Sequence, residues 1–206
     1  MDAAPTAALK RADNALSPAP VLALQPLAAH LLQRIAALQT GIRLYNLLEE
    51  AVQRVADTIA DAPLRAVLSA NLPEGVATPP TVHDEVVGLR AELGRQLETA
   101  MEALARLDVP AAQPSADAER IGCMLGGLVE AAASADTPLQ QVLFAAISVL
   151  LADSAGWAAL ATLAEAEEEK DLSGRFRLVS VEEAQQAQAL QGWLEALMLA
   201  ESGRNV

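Results

Sequence analysis

The sequence predicts an all-α protein, and three observations carry that prediction. Apolar residues make up 52% of the 206-residue chain and aromatics only 2%, so the core must be alanine and branched aliphatics, a helix-forming mixture. Apolar positions recur in alternating steps of three and four over long stretches, the period of a buried helical stripe. Prolines gather between those stretches, most densely at Pro73, Pro79 and Pro80, where no helix can continue.

A chain of this length can bury a sizeable core as one domain without covalent staples. Its single cysteine, Cys123, excludes an internal disulfide framework and reads as a small buried hydrophobe in a reducing compartment. Fourteen basic against 27 acidic residues give a net charge of −13, which repels phosphate backbones and anionic membranes. The start, Met1 to Pro20, lacks the basic and apolar runs of a signal peptide. No uninterrupted apolar run of about 18 residues follows. The expectation is a cytoplasmic, soluble protein with no nucleic-acid and no membrane partner.

Taken in order, residues 1–20 read as a flexible tail, 21–200 as the helical bundle, and 201–206 as a short polar tail. The first helix starts near Gln25, with a seam at Leu31, Ile35, Leu38, Ile42, Tyr45, Val52, Ala56 and Ile59. Glu49 fills the one gap in that seam, and Glu50 lies about a hundred degrees round the helix from it. A break at Asp61 to Pro63 leads into a short apolar piece, Leu64 to Leu68, and a connector over Asn71 to Pro80. The second long helix opens at Thr81 as N-cap, with Asp84 and Glu85 in its first turn and His83 one turn ahead of Val86.

Pro110 and Pro114 close that helix, and a weaker one spans about Asp117 to Ala133 with Gly122, Gly126 and Gly127 inside it. The next, about Pro138 to Glu167, takes Thr137 as N-cap and is apolar on nearly every side, which predicts a central helix. Its first seam is interrupted by Asp153 and Gly156. The acidic run Glu165 to Asp171 reads as a solvated connector. The last helix carries Phe176, Val179, Glu183, Gln186, Leu190, Trp193 and Leu197 on one seam, again with two polar interruptions. Trp157 and Trp193 read as core anchors, and His30 as a surface or core-edge residue.

Both halves of the chain have the same plan of long helix, connector and long helix. Glu50 and His83 are 33 residues apart, and so are Asp153 and Gln186. Buried carboxylates cost several kcal/mol unless paired, hydrogen-bonded or metal-bound, so polar interruption of four core seams asks for a cause. In helical bundles one such cause is a two-metal centre held by single Glu residues and Glu-x-x-His pairs.

Here the chain resembles the ferritin-like superfamily, and within it the small bacterial proteins described as YciE/YciF-like. The likeness rests on Leu44-Tyr45-Asn46 with Glu49 and Glu50, on Cys123 to Glu130, on Ala152-Asp153-Ser154-Ala155-Gly156-Trp157, and on Glu182-Glu183 with Gln191-Gly192-Trp193-Leu194-Glu195. It covers roughly residues 30–200. The resemblance implies a ferritin-like four-helix bundle of two antiparallel helix pairs, joined by a long helical crossover over Leu107 to Pro138. It also implies a metal site at Glu49 or Glu50, His83, Asp153, Glu183 and Gln186, of the kind that holds iron or manganese. The family's Glu-x-x-His pairs here read Pro80-x-x-His83 and Glu183-x-x-Gln186, so the ligand set is depleted. No nucleophile triad, phosphate loop or dinucleotide fingerprint is present.

The leading expectation is a non-catalytic bundle with an eroded di-metal site and no resident cofactor. It would act as a structural or interaction protein, stress-related as the resemblance implies, with a protein partner or a homo-oligomer, a dimer, as its assembly. The alternative is a metal-binding protein using the residual carboxylate and histidine residues for iron, manganese or zinc.

Overall fold

A computed structural model describes residues 25–56, 61–70, 80–112 and 115–203. The described residues form six helices and no strand: α1 Pro26–Val55, α2 Asp61–Ala70, α3 Val82–Arg106, α4 Ala116–Ala132, α5 Leu139–Ala166 and α6 Lys170–Glu201. The tail expected over 1–20, most of the connector 71–80, Ile59 of the first seam and the last three residues lie outside the described residues.

Local chemistry starts and stops these helices. Pro26 sits in the first turn of α1, where its missing N–H costs nothing. Thr81 and Asp84 form a reciprocal capping box on α3: the Asp84 N–H donates to Thr81 Oγ1 at 3.0 Å, and the Thr81 N–H to Asp84 Oδ2 at 3.2 Å. Ser115 caps α4, accepting from the Ala118 N–H. Thr137 does not cap α5. Pro138 takes the N-cap position without a side-chain bond, and Thr137 is buried instead.

Helices α3 and α5 end in the same way. Asp108 and Glu168 adopt left-handed backbone, with φ of 55° and 65°. The next N–H reaches back five residues, Val109 to Leu104 O and Glu169 to Ala164 O, which satisfies carbonyls that the helix end would orphan. The turn after α5 is therefore tight, and α6 already begins at Lys170, inside the run expected to be a connector.

Side-chain contacts give the helix directions. Glu49 meets His83, Asn46 meets Arg90, and a side chain at Gly41 would touch Leu93, so α1 and α3 run antiparallel. Gly41 also lies beside Val149 while Arg34 meets Asp153, so α5 is antiparallel to α1 as well. Trp157 stacks near Phe176 with ring centroids 5.3 Å apart, and Gln140 reaches Glu201, which makes α5 and α6 an antiparallel hairpin. Arg175 bonds Glu102, closing α6 against α3, and α2 lies on α6 where Val67 approaches Gly192.

Helix α4 packs along α1 as well as against α5. It is a fifth wall of the bundle, more than an accessory within a crossover. Its small residues fit that role, with Leu125, Val129 and Ala132 turned inward. Cys123, expected in the core, is exposed. Helix α5 touches α1, α4 and α6 but is not enclosed: Phe144 and Leu151 face outward. Its all-round apolarity therefore marks a helix with one uncovered side, where a central helix was expected.

Candidate functional site: a buried guanidinium and two acids

The interior stripe of α1 keeps Leu31, Leu38, Tyr45 and Val52 of the seam read in the sequence, with Arg34, Gly41 and Leu48 in place of Ile35, Ile42 and Glu49. It runs Leu27, Leu31, Arg34, Leu38, Gly41, Tyr45, Leu48 and Val52, in unbroken steps of four and three, and all eight are buried. Arg34 thus enters the core. Its guanidinium forms an ion pair with the Asp153 carboxylate and also donates to the Asp153 backbone oxygen at 3.4 Å.

Gly156 makes room for that arginine. A Cβ at position 156 would stand 2.1 Å from Arg34 Nη1 and 2.2 Å from Cζ, so any side chain there displaces the guanidinium. The Asp153-x-x-Gly156 spacing puts acid and gap on one face of α5, one turn apart, and Arg34 fills both. Gly156 is therefore a seat for Arg34, a role that a gap in an apolar seam does not announce.

Glu183, fully buried on α6, neighbours Asp153. While ionised, neither of its carboxyl oxygens has a hydrogen-bond partner, nor does Asp153 Oδ2. One proton resolves this. Burial first, and then the charge of Asp153, push the Glu183 acid up to about 10, so at neutral pH it carries the proton and donates toward Asp153. Burial raises Asp153 too, but the Arg34 charge and the bond from Glu183 pull against it. Glu183 is thus a neutral acid beside the Arg34–Asp153 ion pair.

Tyr45 and Trp157 border this set. Burial, followed by the nearby Glu183, drives the Tyr45 phenol well above its ordinary range, so it stays protonated. The Trp157 indole favours the charged form of both acids without reaching full hydrogen-bond geometry. Gln96 on α3 is also buried, with both amide atoms unpartnered. It lies on the α3 stripe Leu93, Gln96, Ala100, Ala103, a polar interruption hidden in the sequence by the adjacent Leu97.

The remaining expected residues stand elsewhere. Glu49 and His83 do meet, at 3.1 Å, but Arg90 pairs with the other Glu49 oxygen, and Gln53 approaches the same histidine nitrogen at 3.0 Å. Glu50 is exposed. Gln186 is half-buried and lines a surface cleft between α3 and α6 beside Glu85 and Glu182. Glu49 lies fifteen residues beyond Arg34 on α1, which is about 22 Å of helix at about 1.5 Å per residue. The polar links that form are Glu49 with His83 and Arg34 with Asp153, about four turns apart along α1, and the 33-residue partners Glu50 and Gln186 belong to neither.

This donor set does not suit a two-metal centre. Among the described residues no three His, Cys, Asp or Glu side chains converge closely enough to hold an ion. The positive charge beside Asp153 is a guanidinium, and the acid next to it keeps its proton. Hard divalent cations need several ionised oxygens converging on one point.

Comparison with protein-family models, curated proteins and solved structures finds no match for this chain. The reading of the site therefore rests on the chain's own chemistry.

Proposed function

We propose that this chain is a non-catalytic, ferritin-like helical bundle that acts through its surface as a structural or interaction protein and self-associates in the cytoplasm. The observation that carries this reading is the Arg34 guanidinium against Asp153 and over Gly156. In the proposed architecture the centre of the bundle is the place for metal cations, and here an internal cation already supplies the positive charge. The two antiparallel pairs α1/α3 and α5/α6, with α4 returning the chain between them, support the same architecture. Glu183 is fully buried and Asp153 is 2% exposed, so no substrate meets either acid in this conformation.

Metal analysis tests the proposal. Purified protein incubated with ferrous iron, manganese or zinc and then desalted is expected to retain well under one ion per chain. Stoichiometric metal that disappears in both Asp153→Ala and Glu183→Ala would refute it and favour the metal-binding alternative. Metal lost in His83→Ala alone would place a single-ion site at Glu49 and refute the non-metal reading equally.

A further inference from the structure

We propose that α5 is the seam of a two-fold homodimer, packed antiparallel against α5 of a second copy with the axis between Leu151 and Ala155. This rests on the reading of the protein as a surface-acting bundle, and it names the surface.

Between Leu139 and Ala164 the only ionisable side chain on α5 is Asp153, and that one is turned inward. The outer face of the helix is a stripe of Phe144, Ser148, Leu151, Ala155, Ala158 and Thr162. Its steps are four, three, four, three and four, which keep these residues on one side of the helix.

At the Phe144 end the surface widens. Val181 on α6 and Met124 on α4 are each more than half exposed, and Phe144 and Met198 border an apolar groove of about 470 Å³ between α4, α5 and α6. From Phe144 to Thr162 the stripe runs about 27 Å. Helices α5 and α6 side by side at about 10 Å spacing give a face on the order of 540 Å², widened by α4 at the Phe144 end, against the roughly 800 Å² that each partner contributes to a stable interface.

The occupant follows from shape and charge. Reversed about its midpoint, the stripe pairs Phe144 with Thr162, Ser148 with Ala158, and Leu151 with Ala155. Every large residue thus meets a small one, which is what an isologous contact between identical helices requires. A second copy also carries −13, but this face brings no exposed acid of α5 to the axis. A lipid surface is the poorer fit, since a helix lying on anionic membrane needs flanking Lys or Arg. Arg177, the basic residue beside this face, is committed to Glu165.

Sedimentation equilibrium of the full chain is expected to give about twice the 21.5 kDa chain mass at about 10 μM. Leu151→Glu is expected to weaken association at least about 100-fold while leaving helical circular dichroism unchanged. In a Cys123→Ser background, Ala155→Cys, next to the axis, is expected to cross-link on oxidation and Ser148→Cys to remain monomeric. Three results would overturn the proposal: a wild-type monomer at about 100 μM, a dimer untouched by Leu151→Glu, or cross-linking through Ser148→Cys and not Ala155→Cys. Flotation of wild type with vesicles of phosphatidylcholine and phosphatidylglycerol, abolished by Leu151→Glu, would also overturn it in favour of a membrane-facing patch. None of these outcomes bears on metal content, so the proposal and the non-metal reading fail separately.

Discussion

Replacing Arg34 by leucine removes the guanidinium and leaves Asp153 buried without a counter-charge. Loss of one partner from a buried ion pair typically costs about 3–5 kcal/mol. Here a ceiling applies, because Asp153 can escape by taking a proton. From its ordinary value of 3.8, protonation at pH 7 costs about 4 kcal/mol, at about 1.4 kcal/mol per pH unit. The deficit of Arg34→Leu is therefore expected to be capped at about 4 kcal/mol at pH 7 and to shrink as pH falls. The sign follows from Asp153: burial already holds its acid above the ordinary value of 3.8 while the Arg34 charge pulls it down, so loss of Arg34 lifts it further and the deficit, present at neutral pH, is lost as pH falls.

Urea denaturation followed by circular dichroism at neutral and at mildly acidic pH reads the effect. Gly156→Ala supplies the internal control. In wild type its methyl evicts the guanidinium and should cost several kcal/mol. In the Arg34→Leu background the same change should stabilise by up to about 1 kcal/mol through helix propensity. A deficit independent of pH, or a Gly156→Ala effect of the same sign in both backgrounds, would refute the assignment of Arg34 as counter-ion.

Two further outcomes follow from groups described above. Glu183 keeps its proton to about pH 10 when folded but loses it near its ordinary value of 4.5 when unfolded, so its contribution falls as pH rises through that window. Glu183→Gln, which is uncharged at every pH, should flatten the alkaline decline of thermal stability, and an unchanged profile would count against a protonated Glu183. Glu168 holds a left-handed φ of 65° at the end of α5, so Glu168→Gly should raise stability by about 0.5–1 kcal/mol. Destabilisation by that change would show that the Glu168 side chain has a role of its own.

The helices were legible because their apolar spacing is dense and their caps are local. Thr81 with Asp84 announces a helix start by itself, and α3 begins there. Chain-end signals that need φ were less visible, since Asp108 and Glu168 occupy positions where glycine is the usual marker. The Asp153 and Glu183 half of the polar centre was also legible as two acids on apolar seams. Arg34 was not, because Ile35 beside it is apolar and offers an equally regular stripe, and both residues prove buried. Gln96 was masked by Leu97 in the same way. The 33-residue repeat correctly paired the helices but not the heights of their polar residues, because sequence spacing carries no information on how one helix pair slides along another.

The position of α1 bears on how the chain can be made. This helix packs against α3, α4 and α5, so the part of its inner stripe that meets α5 stays uncovered until about residue 166 has been synthesised. The α5/α6 hairpin, with its three-residue turn, needs only near neighbours and can close quickly once made. A nascent chain therefore carries Arg34 without its counter-charge until Asp153 has been made.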